Sequence, residues 1–237
     1  MPVEPVDRLA VVEQILDDPP VVHPMGVADG QARMGVWATE PSCYRFLAER
    51  CPPGTRTLET GSGLSTVLLA ALGADHICCT AGREEADRVL EHCRTRGIDA
   101  SGLRFEVGSS HHTLPPLEAA GTPRDIVLVD GSHAFPLPVI DWFYAAALLG
   151  SGGILVVDDL NLPAVGVLVR FLDRDPRWRS VAGSKKWRAW ERTTTGTLSE
   201  DWTEQPFYRS PTDTVLAPFR KVTGKLRHEL AKRRRSR

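Results

Sequence analysis

The stretch Thr57-Leu58-Glu59-Thr60-Gly61-Ser62-Gly63-Leu64-Ser65-Thr66 decides the fold. It predicts a short strand that ends in an acidic residue, a turn through two glycines, and a helix over residues 66–72. Glycines let the backbone turn tightly and let a ligand approach closely, because they carry no Cβ. The helix that follows directs unpaired N–H groups back at the loop. We therefore expect this loop to hold a nucleoside or a nucleotide.

Alternating strands and helices follow this loop along the chain. The predicted strands are short apolar runs at residues 56–59, 76–81, 103–107, 125–130 and 154–158. The predicted helices cover residues 66–72, 84–96, 114–120, 137–149 and 164–172. Short apolar strands are typical of a parallel sheet that is covered on both faces. The alternation predicts an α/β fold with a doubly wound sheet.

The end of this pattern changes from alternation to a hairpin. Residues 178–182 and 187–191 alternate in polarity, and a short polar turn joins them. This arrangement predicts two antiparallel strands. The predicted fold class is therefore α/β, a Rossmann-like doubly wound and mostly parallel sheet with a C-terminal antiparallel hairpin.

The N-terminal region has its own organisation. Residues 6–17 have helical spacing, and residues 21–38 are rich in glycine and predicted to be irregular. A helix is expected over residues 41–50, with Thr39 as its cap. The predicted organisation is an N-terminal helix and candidate lid at 1–39, a main domain at 40–192, and an irregular segment with a basic C-terminal helix or tail at 193–237.

Composition excludes several classes of protein. The net charge of −1 gives no general attraction to nucleic acid or membrane, and no apolar run is long enough to cross a bilayer. The N-terminus lacks the pattern of a signal peptide. Five cysteines without framework spacing indicate free thiols in a reducing compartment, so a cytoplasmic location is expected.

The basic residues of 215–237 permit peripheral contact with an anionic membrane surface, and a solvated tail is the alternative. Aromatic residues are not interleaved with them, so a nucleic-acid partner is not expected. The oligomeric state is left open.

The acidic residue beside the glycine loop indicates which ligand the loop binds. The carboxylate of Glu59 would repel a pyrophosphate, whereas it suits a ligand that carries an amine. This combination favours S-adenosylmethionine (SAM) over a dinucleotide.

Two further motifs follow the fourth and fifth predicted strands. They are Asp130-Gly131-Ser132-His133 and Gly152-Gly153-Ile154-Leu155-Val156-Val157-Asp158-Asp159. With these motifs and the glycine loop, residues 40–192 resemble class I SAM-dependent methyltransferases. They are most similar to the branch of O-methyltransferases that act on sugars and antibiotic scaffolds, several of which depend on magnesium. The resemblance implies methyl transfer from SAM to a hydroxyl of a small-molecule or glycan acceptor.

The resemblance also implies a set of cofactor contacts. These are Glu59, Thr60, Gly61, Ser62, Gly63, Ser65, Thr66, Thr80, Gly108, Ser109 and Asp130. One departure from the family concerns the ribose of SAM, which usually contacts a carboxylate at the end of the second strand. No carboxylate stands there in this chain, and either Glu84 or the hydroxyl of Thr80 is a candidate substitute.

The acceptor side combines carboxylates with an imidazole. Asp130, Asp158 and Asp159 follow neighbouring strands, so they should converge and repel one another unless a cation neutralises them. Oxygen ligands suit Mg²⁺, which could hold acceptor hydroxyls and lower the pKa of one. Alternatively, one aspartate caps a helix and another orients the cofactor amine.

His133 is the candidate general base, with Asp130 as its catalytic neighbour, because an imidazole titrates near neutral pH. The alternative is a loop histidine that binds backbone or metal. His23, Met34 and Trp37 are candidate lid residues over the cofactor.

Two other functions remain open at this point. The first is a nicotinamide-dependent oxidoreductase, which the missing carboxylate at the second strand and the closing hairpin both disfavour. The second is a non-catalytic scaffold with the SAM-binding fold.

Overall fold

The computed structural model describes residues 7–28, 31–194 and 205. Its helices are α1 Arg8–Asp17, α2 Pro41–Arg50, α3 Leu64–Ala71, α4 Arg83–Arg96, α5 Ser110–Ala120, α6 Leu137–Ala145 and α7 Pro163–Leu172, with a 3₁₀ turn at Ala146–Leu148. Its strands are β1 His23–Ala28, β2 Gln31–Gly35, β3 Arg56–Thr60, β4 Asp75–Thr80, β5 Leu103–Val107, β6 Arg124–Val129, β7 Leu149–Val157, β8 Trp178–Gly183 and β9 Arg188–Arg192.

The main sheet has seven strands in the order β5-β4-β3-β6-β7-β9-β8. The first five are parallel, while β9 pairs antiparallel with both β7 and β8. The predicted fold class is therefore confirmed, including the C-terminal hairpin. The order reverses between β3 and β6, and in open α/β sheets ligands bind outside the carboxyl ends of the strands at such a switch point.

The register of the central strands determines which motif residues meet. Thr60 of β3 pairs with Val129 of β6, and Val129 pairs with Val157 of β7. Asp130 and Asp158 each follow one of these paired residues. The glycine loop and both aspartate motifs therefore leave the sheet side by side at one edge.

The prediction that residues 21–38 are irregular is wrong. Strands β1 and β2 pair antiparallel, from His23 with Gly35 to Ala28 with Gln31, with an irregularity in register between Pro24 and Gly26. The hairpin is fastened to the main sheet's helices at its base, because Arg88 Nε of α4 donates a hydrogen bond to the carbonyl of Val22 at 2.7 Å.

Several helix boundaries also differ from the prediction; the largest shift at a helix start is in α5, which begins at Ser110 and not at residue 114. Glu40, not Thr39, is the residue before α2. Helix α3 begins at Leu64, since Gly63 caps it and donates its N–H to Thr66 Oγ1 at 2.9 Å. Helix α6 ends at Ala145, a 3₁₀ turn follows at Ala146–Leu148, and β7 begins at Leu149.

The core lies between the sheet and its helices and is mostly aliphatic. All five cysteines are buried and free. Within residues 7–28 and 31–194, no helix is long and apolar enough to span a membrane. Apart from residues 193, 194 and 205, the predicted C-terminal segment with its basic residues lies outside the described part of the chain.

Candidate active site

A cavity of about 630 Å³ opens at the carboxyl ends of β3, β4, β6 and β7. It brings together most of the predicted site residues from both motif groups. Its lining is His23, Val36, Trp37, Ala38, Thr60, Gly61, Ser62, Cys79, Ala81, Glu85, Gly108, Ser109, Ser110, Asp130, Gly131, Ser132, His133, Asp158, Asp159 and Lys186. A second cavity of about 650 Å³, beside α1 and the C-terminal ends of α3 and α4, contains none of the predicted site residues.

The glycine loop is held in shape from below by buried side chains. Thr66 Oγ1 accepts the N–H of Gly63 and donates its own proton to the carboxylate of Glu59. Cys78 Sγ donates to the carbonyl of Gly61 at 3.1 Å. Burial, and after it the charge of Glu59, raises the pKa of Cys78, so this thiol keeps its proton and remains a donor.

Gly61 also has a specific steric role. Its φ is +89°, and a Cβ built there would lie 2.2 Å from the carbonyl oxygen of Asp130. A side chain is therefore excluded by the neighbouring backbone of the sheet edge. The loop and the Asp130 segment touch through this glycine.

Five predicted cofactor residues lie outside the cavity lining, namely Glu59, Gly63, Ser65, Thr66 and Thr80. Glu59 is only 1% exposed, and its Oε1 lies 3.2 Å from Nε2 of the fully buried His76. In this structure the carboxylate of Glu59 therefore supports the loop from beneath. Contact between Glu59 and the methionine end of SAM stays a prediction.

Glu85 supplies a carboxylate to the cavity at the end of β4. It stands in the first turn of α4, and its Oε2 accepts the hydroxyl proton of Thr80 at 2.6 Å and that of Ser62 at 3.3 Å. Glu84, the residue that the sequence offered for this place, has a side chain that is 88% exposed. A carboxylate is thus present near the end of β4, five residues after Thr80, the last residue of that strand.

The N-terminal hairpin contributes the wall above the glycine loop. The rings of His23 and Trp37 stack with their centroids 4.9 Å apart, and both residues line the cavity. His23 Nδ1 lies 3.9 Å from Glu85 Oε1. Met34, the third predicted lid residue, is not part of the lining and is 39% exposed.

The other end of the cavity contains an imidazole between carboxylates. His133 Nε2 lies 3.1 Å from Asp159 Oδ2 and 3.9 Å from Asp130 Oδ1. Asp159 has a φ of +54°, the left-handed region that non-glycine residues seldom adopt. Removal from water, and after it the charge of Asp158, raises the pKa of Asp130 well above its usual range.

Asp158 is held differently from its neighbour. It is only 3% exposed, and its Oδ1 accepts the hydroxyl proton of Thr39 at 2.6 Å. Burial raises the pKa of Asp158, while the hydrogen bond from Thr39 acts in the opposite direction. Its Oδ2 lies 3.8 Å from Nζ of Lys186, which is also 3.6 Å from Asp159 Oδ1. Lys186 comes from the turn between β8 and β9.

The predicted metal ligands are only partly grouped as the sequence suggests. Ligand atoms of Asp130, His133 and Asp159 lie within 4.8 Å of one another, and Asp158 is not in this group. However, both oxygens of Asp159 already face positive or protonatable groups, Lys186 and His133. A divalent cation would have to displace these contacts and approach the ammonium of Lys186. The residues therefore do not fit a metal ion in this arrangement.

Another buried carboxylate lies beneath the cavity. Asp141 of α6 is fully buried, and its Oδ2 would lie 3.1 Å from a Cβ at Gly131. Burial raises the pKa of Asp141, and the hydroxyls of Ser110 and Thr60 partly offset this effect.

Sequence reasoning missed Glu85, Lys186 and Asp141. The position of Glu85 in the first turn of a predicted helix was a usable signal, because such a residue lies near the preceding strand end. Lys186 and Asp141 gave no local signal, since their neighbours come from distant parts of the chain.

Part of the chain matches a known protein family. Residues 58–160 match the family model described as a methyltransferase domain. The predicted resemblance to class I methyltransferases is thereby confirmed over these residues. A search of curated proteins found no match to the chain.

Several solved structures share the fold. Cofactor-bound Rv0187 from MTB is 19% identical, with a TM-score of 0.54 and coverage of 82% of this chain and 93% of that chain. The O-methyltransferase TomG from Streptomyces achromogenes, involved in tomaymycin synthesis and solved with SAM, is 18% identical (TM-score 0.53, coverage 81% and 92%). The O-methyltransferase from Bacillus cereus, solved with SAH, is 19% identical (TM-score 0.51, coverage 81% and 94%). At these identities the likeness concerns the fold.

Proposed function

We propose that this protein transfers the methyl group of SAM to a hydroxyl oxygen of a small molecule or a glycan. The observation that carries the proposal is that one cavity is lined both by the glycine loop and by the pair His133–Asp159. The similar fold of two O-methyltransferases, TomG with SAM and the Bacillus cereus protein with SAH, supports the same chemistry.

The cavity fits the chemical parts of SAM. The open backbone at Gly61 and Ser62 suits close approach by the cofactor, and the carboxylate of Glu85 suits a pair of ribose hydroxyls, as acceptors of their hydrogen bonds. The stacked pair His23 and Trp37 covers this end and limits access of water. When bound, SAM supplies an electrophilic methyl group.

The chain's own residues prepare the acceptor. His133 would act as the general base: its Nε2 faces the carboxylate of Asp159 at 3.1 Å, so the other ring nitrogen, Nδ1, would take the proton of the acceptor hydroxyl, and Asp159 would stabilise the imidazolium that results. Asp130, whose Oδ1 lies 3.9 Å from the same Nε2 that faces Asp159, would help to orient the imidazole. The remaining contribution is alignment of the acceptor oxygen with the methyl group, which can supply a large share of the rate.

Magnesium stays a prediction from the sequence, and no step of this mechanism uses a metal. Acceptor pockets differ widely within one fold, so the fold does not identify which small molecule or glycan is the acceptor.

Titration calorimetry with SAM, and separately with NAD⁺, tests the proposal against the oxidoreductase. We expect SAM to bind and NAD⁺ not to bind. Release of S-adenosylhomocysteine, screened with hydroxylated small molecules and glycans, then distinguishes an enzyme from a scaffold. Binding of NAD⁺ without SAM would overturn the proposal, and so would SAM binding without release for any hydroxyl acceptor in the screen.

A further inference from the structure

Lys186 approaches the acidic end of the cavity from outside the methyltransferase motifs. Its Nζ donates a hydrogen bond to the carbonyl of Ala38 at 2.7 Å and faces Asp159 at 3.6 Å and Asp158 at 3.8 Å. Among the described residues that line the cavity, Lys186 is the only lysine or arginine. One ammonium group therefore serves two carboxylates and a backbone carbonyl.

The backbone around Lys186 is fixed on both sides. Its N–H donates to Ser184 Oγ at 2.9 Å, and its carbonyl accepts the N–H of Leu160 at 2.8 Å. The following residue, Trp187, is buried and donates its indole N–H to Ser42 Oγ at 2.9 Å. These contacts hold the turn against α2 and the end of β7, so the ammonium is delivered to the carboxylates by a fixed stretch of chain.

The charge balance of the cluster depends on this side chain. Three aspartates lie at the ends of neighbouring strands. Burial raises the pKa of two of them, Asp130 and Asp158. Opposite charge nearby stabilises the ionised form of carboxylates this close, as hydrogen bonds to them also do. Lys186 provides such a charge from within the chain and occupies the side of Asp159 that a metal ion would need.

We propose that Lys186 is the built-in cation of this site. It holds Asp158 and Asp159 in place without a divalent metal, and its removal converts the cluster into a metal-binding site. In this role Lys186 is a positioning residue that acts through the two aspartates. The role of the aspartates in methyl transfer rests on the proposed function. The arrangement of charges around Lys186 does not depend on the reaction.

Mn²⁺ binding to the purified full-length protein tests this proposal. The concentration of free Mn²⁺ is measured by its electron paramagnetic resonance signal. The variants are Lys186→Gln, which removes the charge but keeps a polar side chain that is one atom shorter, and Lys186→Arg, which keeps the charge. Lys185→Gln is the matched control, because Lys185 is the exposed neighbour in the same turn. We expect Lys186→Gln to bind Mn²⁺ at least about tenfold more tightly than wild type, a difference of about 1.4 kcal/mol. Wild type, Lys186→Arg and Lys185→Gln should bind weakly and alike.

A second variant identifies where the new ion binds. Adding Asp159→Asn to Lys186→Gln should return Mn²⁺ binding to the wild-type level. Tight Mn²⁺ binding by wild type would overturn the inference, as would equal binding by wild type and Lys186→Gln. Circular dichroism checks that each variant is folded, and Lys186→Met replaces Lys186→Gln if that variant is not. SAM titration of wild type runs alongside, so that a failure of the proposed function is seen separately.

Discussion

The two ends of the cavity are built in different ways. At the proposed cofactor end, around the glycine loop, hydrogen bonds link residues close in sequence: Gly63 with Thr66, and Thr80 with Glu85. At the proposed acceptor end, around His133 and Asp159, charged side chains find their partners across long separations: Asp158 accepts from Thr39 over 119 positions, and Lys186 donates to Ala38 over 148. The cofactor end therefore depends on local backbone shape, whereas the acceptor end depends on tertiary assembly and on charge balance.

This difference explains what the sequence could predict. The glycine loop, the parallel strands and the closing hairpin follow from local patterns, and the structure has all of them. The position of Lys186 could not be predicted, because nothing near it in sequence indicates that its turn lies beside the aspartates. The β1–β2 hairpin was missed for another reason: Asp29-Gly30 is a typical turn signal in the sequence, but the flanking residues alternate too weakly in polarity.

The largest expected effect concerns the acceptor end. His133→Ala should lower turnover by about a hundred- to ten-thousand-fold, the usual range for loss of a positioned base. SAM affinity should stay nearly unchanged, because His133 is not among the residues proposed to contact SAM. The measurement is S-adenosylhomocysteine release with an acceptor from the hydroxyl screen, and SAM binding by calorimetry.

His112→Ala is the matched control, since this exposed histidine of α5 is not part of the cavity lining. If His133→Ala kept the turnover of wild type, the base would have to be an aspartate or the acceptor itself. A loss of SAM affinity in His133→Ala would show that the two ends are not separate.

The next effect concerns the cofactor end alone. Glu85→Gln keeps the shape of the side chain but weakens its acceptance of hydroxyl protons. A hydrogen bond to a charged group is worth about 1.5–3 kcal/mol, so SAM affinity should fall by roughly 10- to 150-fold. Calorimetry measures the affinity directly and needs no acceptor.

Glu84→Gln provides the comparison, because this neighbour in the same helical turn points to solvent. It should bind SAM as wild type does. Equal losses in both variants would indicate a general effect of charge, and a loss in Glu84→Gln alone would restore the residue that the sequence suggested.

A smaller effect is expected from the support beneath the glycine loop. Thr66→Val removes the acceptor for the Gly63 N–H and leaves the buried carboxylate of Glu59 without its hydroxyl donor. Such an unsatisfied group costs about 1–3 kcal/mol, and about 1 kcal/mol shifts the midpoint of thermal unfolding by roughly 2–4 °C in a domain of this size. Thr66→Ser keeps the hydroxyl and should unfold close to wild type. Equal midpoints for valine and serine would show that this network does not stabilise the loop.

The smallest effect concerns Asp141, a buried carboxylic acid for which the described residues supply no ammonium partner, in contrast to Asp158 with Lys186. Burial raises the pKa of Asp141, so the folded protein holds this proton more tightly than the unfolded chain does. The resulting stability is fully present below the unfolded-state pKa of about 3.9 and is lost as pH rises through the higher folded-state pKa. Asp141→Asn has no such loss, so its unfolding midpoint should rise relative to wild type as pH increases through that interval.

Asp125→Asn should show the opposite trend and serves as the internal comparison. The hydrogen bond from Arg56 lowers the pKa of Asp125, so its stabilising effect is present above the unfolded-state pKa and is lost as pH falls through the lower folded-state value. The midpoint of Asp125→Asn should therefore lie below wild type at neutral pH and approach it in acid. Thermal unfolding of both variants from acid to neutral pH measures the two trends. Parallel curves would mean that the absence of a cation beside Asp141 has no effect on stability, and the contrast between the two carboxylates would then fail.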